Sequence, residues 1–252
     1  MRALALLVLL VLLTRPIAAA SAAETMVEVP TSRGQEAVRF HAAAIKGKHP
    51  AVIILHGLER LDAGDLPFFR RYADALAQAG IDAYIPSYYS AADAEAMASP
   101  DRPARVAYFG THVQGWAKFV SQVADFALRS ADSSGRVGLL GFSNGGFLAV
   151  AAAQLDPRFS ALVVFYGGIP DFLLGKVTHL PPLLELHGGA DRTILLSRGT
   201  KIAEAARALG VPAQQIVYPG VGHGFDDDAK TAVAKAALKR TLAFFKERLA
   251  VP

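Results

Sequence analysis

Apolar and polar residues follow one another along this chain in two rhythms. Ala51-Val52-Ile53-Ile54-Leu55 is an unbroken apolar run rich in β-branched residues, which predicts a strand buried on both faces. Leu66–Gln78 has a helical rhythm instead, with Phe69, Tyr72, Ala73 and Leu76 on one side and Gly80 as its stop. The short strand Asp82-Ala83-Tyr84-Ile85 comes next and ends at Pro86. Further strands are expected at 136–140, 161–166, 183–186 and 215–218, and helices at 113–129, 147–153, 197–209 and 227–249. An early hairpin pairs 36–41 with 25–29. Residues 88–108 show no strong period and carry Pro100 and Pro103, so they form either a long loop or a small cap. Strands alternating with helices predict an α/β fold, with a mostly parallel central sheet and helices on both faces. In such sheets, sites form beyond the carboxyl ends of the strands.

The first 23 residues stand apart from this alternation. Met1-Arg2 precedes an apolar run from Ala3 to Leu13, and small residues follow at Ala18-Ala19-Ala20-Ser21-Ala22-Ala23. A charged start, a short apolar core and a small-residue region predict a secretory signal peptide over 1–23. The run falls short of the roughly 20 residues that span a bilayer, so an uncleaved anchor is the weaker reading. Cleavage fits after Ala20, Ala22 or Ala23. Residues 24–252 are then one domain, long enough for a sizeable core and short for two.

Charge and cysteine narrow the class further. Losing Arg2 and Arg15 with the leader lowers the formal net charge from +4 to +2. So small and dispersed an excess predicts no nucleic-acid partner. The chain has no cysteine, which removes disulfides and thiolate metal sites. An exported protein without disulfides points to a bacterial periplasm or secretion, with no membrane contact after leader removal. A monomer and a homodimer are equally compatible with the sequence.

The candidate chemistry lies after the strands. Gly141-Phe142-Ser143-Asn144-Gly145-Gly146 joins a strand to a helix, the pattern of a nucleophile elbow. After 183–186 comes His187-Gly188-Gly189-Ala190-Asp191, and after 215–218 comes Pro219-Gly220-Val221-Gly222-His223-Gly224-Phe225. Ser143, Asp191 and His223 thus follow in the order used by α/β-hydrolases. A serine hydroxyl is a weak nucleophile until a base takes its proton, and His223 is placed as that base. Asp191 would fix the imidazole tautomer and stabilise the imidazolium. The backbone N–H groups of Leu58 and Asn144 are the candidate oxyanion donors. Asp171 is a rival acid, and Asp226, Asp227 and Asp228 read as the negative start of the last helix. His56 and His187 read as loop-shaping residues, and Trp116 as core. Tyr88, Tyr89 and Phe225 are candidates for lining a pocket. No group of His, Asp or Glu has metal-ligand spacing, and no cofactor motif is present.

Four stretches together resemble the dienelactone hydrolase family: Ile54-Leu55-His56-Gly57, Gly141 to Gly146, His187 to Asp191, and Gly222-His223-Gly224-Phe225. The resemblance runs from about Ala51 to the last helix. It implies the α/β-hydrolase fold, a triad of Ser143, Asp191 and His223, and no cofactor. The family's characterised members have cysteine where this chain has Ser143, a glutamate where it has Gly57, and an arginine soon after the histidine where it is acidic. These departures favour a neutral or weakly polar ester over a dienelactone. The expected function is exported hydrolysis of carboxylic esters, lactones included, acting on small molecules. A small serine peptidase or acyltransferase of the same fold is the second reading, although peptidases of this type usually add a gating domain for which the chain has no room. A non-catalytic binding protein is the third, and the ordered serine, aspartate and histidine argue against it.

Overall fold

The computed structural model describes residues 24–58, 61, 64 and 66–250. The expected signal peptide lies outside the described residues. Chain order is β1 (Glu24–Thr31), β2 (Gly34–His41), β3 (His49–Leu55), α1 (Leu66–Gln78), β4 (Asp82–Ile85), α2 (Ala91–Met97), α3 (Arg102–Arg129), β5 (Ser133–Phe142), α4 (Asn144–Leu155) and β6 (Phe159–Phe165). A 3-10 turn (Asp171–Leu173), β7 (Leu183–Gly188), α5 (Leu196–Ala208), β8 (Ala213–Tyr218) and α6 (Ala232–Arg248) complete it. The described strands form one sheet in the order β1-β2-β4-β3-β5-β6-β7-β8. The pairs from β4 to β8 are parallel, while β1–β2 and β2–β4 are antiparallel.

The period of two along β3 explains how one apolar run serves both faces. Ile53 and Leu55 pack with Trp116, Phe119, Leu148 and Ile202 of α3, α4 and α5. Val52 and Ile54 point the other way, to Phe69 and Tyr72 of α1 and Phe245 of α6. With helices on both faces, the carboxyl ends of β3, β5, β7 and β8 are the open edge, and Leu58, Ser143, Asp191 and His223 all follow those ends.

Several strand and helix ends lie one to three residues from expectation, and two boundaries depart by more. The segment 88–108 is a cap-like wall of helix: α2, then the first turns of α3, which begins at Arg102 rather than near Val113. Pro103 is not a breaker here, because Asp101 caps the helix by accepting the Ala104 N–H and proline sits within the first turn, where its missing N–H costs nothing. Helix α6 starts at Ala232 with Thr231 as its N-cap, so Asp226–Asp228 are not its first turn. Asp226 is fully buried instead.

Candidate active site

Local geometry builds the elbow before any side chain is considered. Ser143 has φ 52° and ψ −116°, a left-handed conformation that a non-glycine residue adopts only under constraint. The constraint is close packing behind it. A Cβ at Gly145 would collide with the carbonyls of Leu55 and His56, so glycine lets α4 sit against the end of β3. The Ser143 N–H donates to Phe165 O at 3.0 Å, which ties the turn to β6. Asn144 opens α4, so its N–H has no acceptor within the helix.

Three loops then bring their side chains together. The imidazole of His223 lies with Nε2 2.9 Å from Ser143 Oγ and Nδ1 2.8 Å from Asp191 Oδ2. Asp191 Oδ1 accepts the N–H groups of Thr193 at 2.8 Å and Ile194 at 3.0 Å, which fixes the carboxylate independently of the histidine. Asp191 is buried, and Ala190 N–H donates to Val221 O at 2.9 Å, so the aspartate and histidine loops are joined through their backbones. Asp171, the rival acid, is exposed and pairs with Arg198 at 2.6 Å.

Two buried polar clusters support these loops, and neither was expected. His187 is fully buried, with Nδ1 2.7 Å from Glu185 Oε1 and Nε2 2.9 Å from Ile194 O. Its Nε2 is also 3.5 Å from Asp191 Oδ2. Burial works against the charged imidazole, but the Glu185 hydrogen bond and charge, the Ile194 carbonyl and the Asp191 charge together outweigh it and hold His187 above its ordinary value. On the other side of His223, Asp226 accepts hydrogen bonds from Tyr72 at 2.5 Å and Tyr166 at 2.8 Å, and Arg71 donates to its carbonyl at 2.9 Å. Burial raises the Asp226 carboxyl above its usual range, against the Tyr72 and Tyr166 hydrogen bonds. The Tyr166 ring lies 4.6 Å from that of His223, so this cluster positions the histidine loop.

The remaining expected residues are placed as follows. Tyr88 is buried and donates to His56 O at 2.8 Å and Gly57 O at 3.2 Å, while its ring stacks on His56 at 4.0 Å. Tyr89 is buried beside it, 3.5 Å from Asn144 Nδ2. Phe225 packs on Phe165, Tyr166 and Tyr218. None of the three borders the two cavities described below, and these contacts of Tyr88, Tyr89 and Phe225 are packing behind the site.

Beside the expected Leu58, Ser143, Asn144 and His223, the two cavities have walls that the sequence did not point to. One, of about 400 Å³, is bordered by Leu58, Ser143 and Asn144, by Val106 and Phe109 of α3, and by Phe147 and Phe172. The other, of about 510 Å³, is bordered by Phe68, Phe69, Tyr166, Asp227, His223 and Ser143. Among the described residues, no group of three His, Asp or Glu side chains is placed to hold a metal ion, and no helix is long and apolar enough to cross a membrane.

The profile of the dienelactone hydrolase family matches residues 37–249. In Escherichia coli (strain K12), a protein provisionally named carboxymethylenebutenolidase is 30% identical over 141 residues, covering 51% of this chain and 52% of its own length. The chain spans about half the length of such curated relatives. A dienelactone hydrolase structure from Anabaena variabilis shares the fold with a TM-score of 0.71 and 21% identity, over 91% of this chain and 100% of that one. The acylaminoacyl peptidase of Pyrococcus horikoshii shares it at a TM-score of 0.70 and 13% identity, over 90% of this chain and 41% of that one. On the family match, this chain belongs to the dienelactone hydrolase family.

Proposed function

We propose that this protein is an exported serine hydrolase that cleaves carboxylic esters through an acyl-enzyme. The observation that carries the reading is the unbroken chain Ser143 Oγ, His223, Asp191, with both contacts under 3 Å, standing on a strained elbow. Names given to family relatives, carboxymethylenebutenolidase and dienelactone hydrolase, belong to the same bond class.

The mechanism follows from these positions. Ser143 Oγ attacks the ester carbonyl carbon while His223 Nε2 takes its proton. The carbonyl oxygen becomes an oxyanion, which the N–H groups of Leu58 and Asn144 stabilise. Asp191 stabilises the imidazolium through Nδ1. As the carbon–oxygen bond to the alcohol breaks, His223 gives the proton to the departing oxygen and leaves the acyl group on Ser143. Water, deprotonated by the same histidine, then attacks the acyl carbon and frees the acid and the serine.

Ser143→Ala should abolish hydrolysis of a reactive aryl ester while the melting curve stays near that of the wild type. Near-wild-type turnover in this variant would refute the nucleophile. Export rests on the leader pattern at 1–23, and the absence of cysteine adds only that a bacterial periplasm is favoured over an animal secretory pathway. Cellular protein that still begins at Met1 and remains in the cytoplasm would contradict it.

A further inference from the structure

Ser143 borders both cavities, but His223 borders only the one beside Phe68 and Phe69. That asymmetry has a chemical meaning. The histidine that takes the serine proton must return it to the departing oxygen, so the leaving alcohol lies on the histidine's side. The acyl group is then left to the opposite side, under α3.

We propose that the cavity under α3 is the acyl arm of the site, and that it takes a flexible, apolar acyl chain of medium length from an open-chain ester. This rests on the reading of Ser143 as nucleophile. The cavity wall is suited to such a chain. Arg102, Arg105, Val106, Phe109 and Gly110 recur at three- and four-residue spacing and form one face of α3. The guanidinium groups on this wall have other partners. Arg102 donates across the cleft to Thr193 O at 3.0 Å, Arg105 donates to Ser99 O, and Arg198 pairs with Asp171. Phe109, Phe147 and Phe172 line the same cavity, and guanidinium groups engaged elsewhere leave the arginine stems available to cover an apolar chain.

Two further observations point the same way. Val106 and Leu195 are 55% and 59% exposed, and both border this cavity, so apolar surface is left in water where a chain would cover it. Gly110 lies inside a 28-residue helix, where glycine costs stability relative to alanine, yet a Cβ there would meet nothing within 4 Å. No packing contact requires a glycine at this position. A side chain there would stand over the arm, so its absence keeps the arm open.

The assignment is tested with two isomeric esters that carry the chain on opposite sides of the bond, ethyl octanoate and octyl acetate. The wild type should show kcat/KM at least about tenfold higher for ethyl octanoate than for ethyl acetate. Gly110→Phe should lower the ratio of ethyl octanoate to octyl acetate by about tenfold, through selective loss of the first. Val106→Trp, a second obstruction on the same wall, should shift the ratio in the same direction, and melting curves report whether each variant is folded. An unchanged ratio in both folded variants, or selective loss of octyl acetate, overturns the assignment. A wild type that hydrolyses no ester and leaves Ser143 unlabelled by a fluorophosphonate refutes the hydrolase reading itself, and the arm with it. Activity on short esters without chain-length preference refutes the arm alone.

Discussion

Asp191 performs two tasks with two oxygens, and the division suggests a clean variant. Oδ1 holds the N–H groups of Thr193 and Ile194, while Oδ2 faces His223 Nδ1. Asp191→Asn with its carbonyl at the Oδ1 position keeps the loop but turns an amide donor toward the imidazole, which then takes the wrong tautomer. The expected result is a folded protein whose kcat falls by about 10³–10⁴-fold, as for the equivalent change in a well-studied triad. A loss below tenfold would show that Asp191 does not orient the base. Ser143, Asp191 and His223 were legible from the sequence because each follows a strand in a Gly-rich loop, and their order restricts the fold. The supports beneath them were not. His187 and Asp226 look like ordinary loop residues until Glu185, Tyr72 and Tyr166, distant in sequence or hidden in strands and helices, are brought against them.

The elements around the site differ in how well their patterns could be read. Helix α1 was predicted with its observed bounds because most of its apolar face, Tyr72, Ala73 and Leu76 among it, packs into the core, and only Phe68 and Phe69 at its start also border a cavity. The first turns of α3 face a cavity, so charged and apolar residues share one side and the usual period disappears. Helix α2 is fastened to α3 through Asp93, whose carboxylate accepts from Ser90 N–H at 2.8 Å, Tyr108 at 2.9 Å and Trp116 at 3.2 Å. Burial pushes the Asp93 carboxyl up, but its donors at Ser90, Tyr108 and Trp116 together outweigh burial and hold it below its ordinary value of 3.8. The folded form therefore binds this proton less readily than the unfolded chain. The stability it contributes is complete above pH 3.8 and is lost as pH falls through the lowered folded value. Urea unfolding of wild type and Asp93→Asn should show a stability gap that is wide at neutral pH and closes in acid. A gap that does not change with pH would mean that the carboxylate charge does not hold this wall.

For the whole molecule, the alternation of strands and helices led to the observed α/β layering, and the early hairpin was legible too. The strand order was not. Placing β4 between β2 and β3, and β5 beside β3, depends on pairings far apart in the chain that no local period encodes. Yet that order brings the ends of β3 and β5 together, so that Leu58 and Ser143 share both cavities. The neighbouring pair β7–β8 likewise sets Asp191 beside His223. Every role proposed for this site depends on Ser143 being an activated nucleophile. Its most direct test is treatment of the folded protein with a fluorophosphonate, followed by mass mapping of the adduct. A single adduct on Ser143, formed in the wild type and lost in His223→Ala, is the predicted result. Folded wild-type protein that stays unlabelled, or that is labelled at a different residue, would contradict the account.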